Sequence, residues 1–128
     1  MRFCTSLSLL LALTLTLIIP PAYGHHATGV SFDGSRSVKI EGVVKRFIFK
    51  NPHPYLYMEV VENGQKIEYI VEFNQSTGLK EQGWTDKTLK PGDVVIVTGR
   101  PSRAPGTHGV HVAELTKDGK KLYGGNTD

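Results

Sequence analysis

The fold is decided first by residues 55–73, YLYMEVVENGQKIEYIVEF. Apolar and polar side chains alternate through both halves of this stretch, as they do in strands that bury one face. Asn63 and Gly64 stand between the halves, and Asn-Gly is the dipeptide that most favours a two-residue hairpin turn. The stretch therefore predicts two antiparallel strands, with Leu56, Met58 and Val71 among the side chains on the core side.

A longer strand is predicted just upstream, from Val38 onward. Apolar residues alternate with charged ones as far as Val44, and the apolar register then moves by one residue to Phe47 and Phe49. A β-bulge produces this change of face, and the nearby Gly42 eases the bend. We expect one bulged strand that serves two faces of the sheet.

The pattern changes after residue 73. Asn74 or Ser76 is expected to cap a short helix through Leu79, which Gly83 ends, while Trp84 packs back as a plug for one end of a barrel. Shorter strands follow at residues 94–98, 110–115 and 122–123. The first of these is a β-branched run that we expect to be buried on both sides.

The order of elements is three strands, a short helix and two more strands, with a bulge in the first and one last short strand at the end. This is the order of an OB-type barrel, so we predict an all-β fold, a small OB-like barrel of five to six strands with one short helix. An open β-sandwich is the alternative that the strand count permits. The domain boundaries that we expect are residues 1–24 as a signal peptide, 25–37 as an extended arm, 38–123 as the barrel and 124–128 as a loose tail.

The first 24 residues have the layout of a secretory signal peptide. Arg2 is followed by an apolar run over residues 7–19, then by Pro20 and Pro21, and then by small residues that end at Gly24. The run is shorter than the roughly 20 residues that a membrane-spanning helix requires. We expect cleavage after Gly24, a periplasmic or secreted location, and no membrane span afterwards. An uncleaved N-terminal anchor is the alternative.

Composition and charge argue against several classes of protein. The chain has 128 residues, one cysteine and a formal charge of +3. Removal of the signal peptide takes away Arg2 and Cys4, which leaves a charge of +2 and no cysteine for a disulfide. Nucleic-acid binders usually carry a strongly basic stripe. We therefore expect no nucleic-acid partner.

Five histidines remain after cleavage, and two of them begin the mature chain. His25 would offer an amine and an imidazole nitrogen that together chelate Cu(II), with His26 beside it. His53 lies between two prolines, which would fix the direction of its ring as a further ligand. The candidate metal ligands are thus His25, His26 and His53, with copper as the metal. Alternatively, the terminal pair is a solvated arm and His53 only satisfies a turn.

A second group of candidate residues is aromatic and basic. Tyr55 and Tyr57 lie on a strand that contributes to the ligand-binding surface of OB-type barrels, and such rings stack on sugars, bases or other flat groups. The ring of Tyr69 is a further candidate for this surface or for the core. The ligand-binding residues that we predict are Arg46, Asn51, His53, Tyr55, Tyr57 and Trp84.

The conserved spacings of common enzyme classes are absent from this sequence. It has no glycine-rich phosphate loop, no Gly-x-Ser-x-Gly element, no His-Glu-x-x-His pair and no cysteine nucleophile after cleavage. No general acid and base pair can be assigned among its glutamates. The sequence therefore favours a binding module over an enzyme.

Several short motifs resemble those of one family of small exported bacterial proteins, DUF6152. The resemblance spans most of residues 25–123 and implies an exported, β-barrel-like domain without an established activity. The motifs are His25-His26, Phe32-Asp33, Gly42-Val43, Asn51-Pro52-His53, Gly83-Trp84, the Leu-Lys-Pro-Gly-Asp run over 89–93, and Asp118-Gly119.

Two functions are consistent with these observations. The first is a non-catalytic accessory module that recognises an unknown small molecule or a periplasmic partner protein on the barrel face near residues 51–57. The second is a copper-binding protein. Copper is the one cofactor that the sequence raises.

Overall fold

The structure is a computed structural model that describes residues 31–124. The predicted signal peptide, His25, His26 and the last four residues lie outside this range. The elements within it are β1 (Val38–Ile48), β2 (Tyr55–Glu62), β3 (Gln65–Glu72), α1 (Ser76–Glu81), β4 (Val94–Pro101), β5 (Gly109–Lys117) and β6 (Lys120–Tyr123).

The strands form a closed barrel of five strands with one added at its edge. Their order in the sheet is β3-β2-β1-β4-β5-β6, and a parallel pairing between β3 and β5 closes the barrel. Strand β1 pairs with both β2 and β4, and its register with β2 shifts between Val44 and Arg46. The OB-like barrel and the bulged first strand are thus confirmed, and the open sandwich is not formed.

The hairpin between β2 and β3 forms as expected. Asn63 and Gly64 have φ angles of 51° and 76°, which is the left-handed region that a type I′ turn requires. Because the turn fixes the register, Tyr57 pairs with Ile70 and Tyr55 pairs with Glu72. The hairpin therefore places two tyrosines side by side on one face of the sheet.

Helix α1 ends as predicted but begins differently. Gly83 has φ of 85°, and the amides of Gly83 and Trp84 donate to the carbonyls of Lys80 and Leu79. The N-cap is Gln75, with no side-chain hydrogen bond. Ser76 does not cap the helix, because its hydroxyl donates instead to the side chain of Asn51. The predicted cap is wrong, and the serine anchors the loop between β1 and β2.

Strand β4 is buried on one face only. The expectation that both of its faces are buried is therefore wrong. Val95 and Val97 are fully buried, whereas Val94 is 51% exposed. Alternation is the rule for a strand on the wall of a barrel, because its outer face has no second layer above it. A β-carbon at Gly99 would collide with the carbonyl oxygen of His111 on β5, so only glycine permits this close approach.

Trp84 closes one end of the barrel. Its indole is 6% exposed and contacts Phe47, Phe73 and Tyr123, with ring centroids 5.9, 5.6 and 6.2 Å away. The plug predicted for this residue is present. Because the same burial removes the ring from the surface, Trp84 does not lie with the other predicted ligand-binding residues.

Candidate ligand-binding face

Two tyrosines and two cations form a platform on the outer face of the barrel. Tyr55 and Tyr57 alternate with the buried Leu56 and Met58, so both rings point away from the core. The guanidinium carbon of Arg46 lies 4.1 Å from the ring centroid of Tyr57, and the Lys50 ammonium lies 5.2 Å from that of Tyr55. We call Arg46, Lys50, Tyr55 and Tyr57 the platform.

An apolar cavity lies beside the platform, on the side of β5. It has a volume of about 270 Å³ and is lined by Phe32, Tyr55 and Ile70, among others. Phe32 reaches this position because Ser31 to Asp33 bond to the end of β4 and the loop that follows, through the amides of Asp33 and Arg103. The arm thus adds an aromatic side chain that the sequence analysis did not assign to the site.

Glu59, two residues beyond Tyr57 on β2, is held in ion pairs. Glu59 lies 2.9 Å from the Lys66 ammonium and 3.7 Å from that of Lys45. The hydrogen bond from Lys66 is the main reason that the pKa of Glu59 lies below its ordinary value. Such a carboxylate stays ionised at neutral pH and is a poor general acid.

Tyr69 points toward the other side of the sheet. Its hydroxyl donates to Glu62 at 2.6 Å, and its ring packs against the barrel core. Burial, followed by the bond to Glu62, raises the pKa of Tyr69 to about 12. The residue is therefore a neutral structural tyrosine and not part of the platform.

The loop between β1 and β2 holds Asn51 and His53 in fixed positions. Asn51 accepts the hydroxyl of Ser76, and the Asn51–Pro52 peptide bond is cis. Nδ1 of His53 donates to the carbonyl oxygen of Phe73 at 2.9 Å, which leaves Nε2 as the nitrogen with a free lone pair. The structure thus places His53 beside the platform with one nitrogen available to a ligand.

A metal site cannot be assembled from the described residues alone. Within residues 31–124, no group of three or more His, Cys, Asp or Glu side chains is placed to hold a metal ion. His25 and His26 fall outside this range. The structure therefore shows where His53 lies. The copper site itself stays a prediction.

A second concave region, which the sequence analysis did not assign, lies on the other side of His53. This cleft has a volume of about 570 Å³ and runs along α1, with Arg100 and His111 in its wall. Val110 and Val112 are core residues on either side of His111, so His111 faces outward. It is nevertheless only 3% exposed, because Phe32 from the distant arm packs on it at 5.5 Å. No local sequence pattern predicts that Phe32 packs on His111.

The chain can now be placed among known sequences. The model of a family of unknown function, DUF6152, matches residues 14–112. The chain belongs to the DUF6152 family. Membership confirms the resemblance carried by the His-His and Asn-Pro-His motifs, and it brings no activity with it. A comparison with curated proteins finds no significant match.

Solved structures resemble this DUF6152 member in fold. A mitochondrial single-stranded DNA-binding protein of S. cerevisiae gives a TM-score of 0.50 at 14% identity, over 72% of this chain and 98% of that one. The small single-stranded DNA-binding protein of Streptomyces coelicolor gives 0.49 at 18% identity, over 65% of this chain and 91% of that one. At such identities the likeness concerns the fold alone.

The expectation of no nucleic-acid partner is corrected by this comparison. That expectation rests on the small net charge, yet a protein of the same fold is a single-stranded DNA-binding protein. Single strands are held largely by bases stacked on aromatic side chains, with cations placed locally along the backbone. Net charge is therefore the wrong criterion for this fold, and it excludes nothing here.

The predicted absence of a membrane span in the mature chain can be checked for the described part. Across residues 31–124, no helix has the length and apolar character needed to cross a bilayer.

Proposed function

We propose that this protein is a non-catalytic binding module that takes flat rings onto the platform. The observation that carries the proposal is the pairing of Arg46 with Tyr57 and of Lys50 with Tyr55 on the outer face of the barrel. Each pair offers a ring for stacking and a cation for a negative charge nearby. The ligand would be a ring compound with anionic groups.

The surroundings of the platform support this choice of ligand. Ile70 is 40% exposed directly across the ladder from Tyr57, and the apolar cavity under Phe32 lies at the end of the same row. Apolar surface beside the tyrosine rings favours a ligand whose ring has a nonpolar face. Glu59 is paired with two lysines, whereas Glu68 and Glu72 line the cavity. The anionic groups of the ligand would therefore lie toward Arg46 and Lys50, and only its apolar part would enter the cavity.

The proposal includes export. A signal peptide over residues 1–24 would place the mature protein in the periplasm or outside the cell. Its ligand would then be a small molecule or a partner found there, and nucleic acid outside the cell stays among the candidates. N-terminal sequencing of the exported protein tests this part, because a terminus other than His25 contradicts the cleavage site.

The ligand class is tested with a short single-stranded oligothymidylate, which combines flat rings with negative charge. NMR titration of the purified protein should move the backbone signals of residues 46, 55, 57 and 70, and the probe should be recovered unchanged. A neutral maltooligosaccharide of similar length is the control for stacking without charge. Signal changes confined to other faces, or chemical conversion of the probe, would contradict the proposal.

Copper binding is the second candidate, and the orientation of His53 favours it. A histidine whose Nδ1 is fixed by a carbonyl presents Nε2 to a metal in a defined direction, and His53 has this bond to Phe73. The remaining nitrogen ligands would come from the amine of His25 and from the imidazole of His25 or His26, in a tetragonal Cu(II) site.

Titration with Cu(II) separates this candidate from incidental binding. The mature protein should bind more tightly than a peptide of residues 25–30, and His53→Gln should bring its affinity down to that of the peptide. Equal affinity of the protein and the peptide, or an unchanged affinity in the variant, argues against a copper site.

A further inference from the structure

We infer that His111 is a pH-sensitive switch for residues 31–36, which we call the arm segment. In its neutral form His111 supports Phe32 against the barrel, and its protonation releases the arm segment and removes one wall of the cavity beside the platform. The release is independent of the proposed function, whereas its effect on ligand binding rests on that function. The inference is carried by the packing of Phe32 on His111 and by the groups that surround the imidazole ring.

Phe32 and His111 bury each other. Phe32 is 8% exposed and His111 is 3% exposed, and their ring centroids are 5.5 Å apart. Phe32 also lines the apolar cavity together with Tyr55. A change at His111 that displaces Phe32 therefore changes the shape of this cavity.

The neutral form of His111 is the one that fits these surroundings. The guanidinium of Arg100 lies 3.4 Å from Nδ1 of His111. Because a guanidinium can only donate, Nδ1 carries the lone pair and the proton of the neutral ring is on Nε2. Nε2 is enclosed, and it has no hydrogen-bond partner among the residues that the structure describes.

A second proton would be added to Nδ1, the atom that faces Arg100. The imidazolium has two N–H donors, of which one would meet the guanidinium and the other would find no acceptor. Burial of a charge without such partners is unfavourable. Burial, followed by the charges of Arg100 and His53, accordingly lowers the pKa of His111. The ring of Phe32 attracts a cation through its face, but it does not replace the missing acceptors.

The ionisable groups around His111 provide no free anion for its charged form. Glu72 lies across the β3–β5 ladder from His111, but its carboxylate bonds to the Tyr55 hydroxyl and lies 4.0 Å from Nδ1 of His53. Within the described part of the chain, Arg100 makes the one side-chain hydrogen bond to His111. The other ionisable groups that share a cavity or cleft with His111 or Phe32 are His53, Glu68, Glu81, His108, Lys121 and Tyr123.

The arm segment is attached to the barrel by one buried side chain and a few polar contacts. Phe32 is the one buried residue of positions 31–36. The amide of Asp33 donates to the carbonyl of Pro101 at 2.8 Å, and that of Arg103 to the carbonyl of Ser31 at 2.9 Å. Asp33 also lies 3.7 Å from the guanidinium of Arg103, whose side chain is 53% exposed. A segment with so few buried contacts can separate while the barrel stays folded.

Amide hydrogen exchange measures the release without any ligand. Below about pH 6.5, the ordinary pKa of histidine, the ratio of attached to released arm should fall by up to about tenfold per pH unit. After correction for the intrinsic exchange rate, the amides of Asp33 and Arg103 should therefore exchange faster at pH 5 than at pH 7. The amide of Trp84, which donates to Leu79, is the internal control and should not change. EDTA keeps the protein free of metal ions, because His53 is the candidate copper ligand.

His111→Phe should remove the pH effect, because phenylalanine cannot be protonated and keeps a ring of similar size beneath Phe32. His53→Gln and His108→Gln are the matched controls, since they remove the other two histidines of residues 31–124, and both should keep the faster exchange at pH 5. Phe32→Ala should give fast exchange of Asp33 at both pH values. Circular dichroism establishes that each variant is folded.

The effect on ligand binding is measured separately with oligothymidylate. Its affinity should fall between pH 7 and pH 5 in proportion to the fraction of protein whose arm is attached, and it should fall less in His111→Phe. If oligothymidylate binds at neither pH while the amides respond as expected, the proposed function fails and the switch stands.

Three results would overturn the switch. The first is an equal corrected exchange rate of Asp33 and Arg103 at pH 7 and pH 5. The second is the same acceleration in a folded His111→Phe protein. The third is an equal acceleration at Trp84, which would show that the whole barrel opens.

Discussion

Replacement of Tyr57 by valine removes one ring of the platform and tests the proposed function most directly. Valine keeps the strand preference of this position, and the neighbouring core residues Leu56 and Met58 are untouched. Stacking of a base on an aromatic side chain contributes about 1–3 kcal/mol. Because 1.4 kcal/mol corresponds to a factor of ten, the affinity for oligothymidylate should fall by about 5- to 150-fold.

The cost to stability should be small by comparison. Tyr57 is half-buried and loses its contact with Arg46, which at an exposed site is worth about 0.5–1 kcal/mol. Since folded domains have roughly 5–15 kcal/mol of stability, the variant should stay folded. Urea unfolding measures this loss, and fluorescence anisotropy of a labelled oligothymidylate measures the affinity.

Two further variants separate stacking from charge. Arg46→Gln should weaken binding less than Tyr57→Val does and should reduce its salt dependence. Lys39→Gln is the control, since Lys39 is exposed on the same strand and pairs with Thr98 away from the platform. Affinities within twofold of the parent for Tyr57→Val, with the protein folded, would refute the stacking argument.

Three predictions concern stability. Gly99→Ala should lower the free energy of unfolding by about 1–3 kcal/mol or more, because the added β-carbon would collide with the carbonyl of His111. Gly78→Ala is the control, since its β-carbon meets no atom within 4 Å, and it should be neutral or stabilising in urea unfolding. The pKa of His111 lies below its ordinary 6.5, so its contribution to the free energy of unfolding should be lost as pH falls below about 6.5, and His111→Phe should flatten that part of the profile. Tyr69→Phe should lower the free energy of unfolding by about 1 kcal/mol at neutral pH. Because the pKa of Tyr69 is raised to about 12, the parent protein should also lose stability between about pH 10 and 12. An equally steep loss in the variant would argue against Tyr69 as the group that titrates.

The parts of the fold that follow local rules could be predicted from the sequence. The Asn63-Gly64 turn needs only two residues in the left-handed region, and the bulge near Val44 is visible as a one-residue change in the apolar register. The platform tyrosines follow from the same alternation. Each of these depends on residues within one hairpin or strand, where period and turn chemistry are sufficient.

The parts that were missed depend on residues far apart in the chain. Ser76 bonds to Asn51, 25 positions earlier, so a residue that looks like a helix cap serves another loop. His111 is buried under Phe32, which belongs to the arm and not to a neighbouring strand. Arg100 is one of several cations in the sequence until the β4–β5 pairing sets it opposite His111. Such contacts cannot be predicted from the spacing of residues along the chain.

The loop between β1 and β2 connects the two sites that we propose. Lys50 at its start lies over the platform ring of Tyr55, while His53 near its end is the candidate copper ligand and lines the cleft beside α1. The loop is fixed between them by Asn51 with Ser76 and by His53 with Phe73. A metal ion that holds His53 would therefore also act on the segment that positions Lys50. Copper bound at His53 and the oligonucleotide on the platform are consequently expected to change each other's affinity by the same factor, since coupling between two sites is reciprocal.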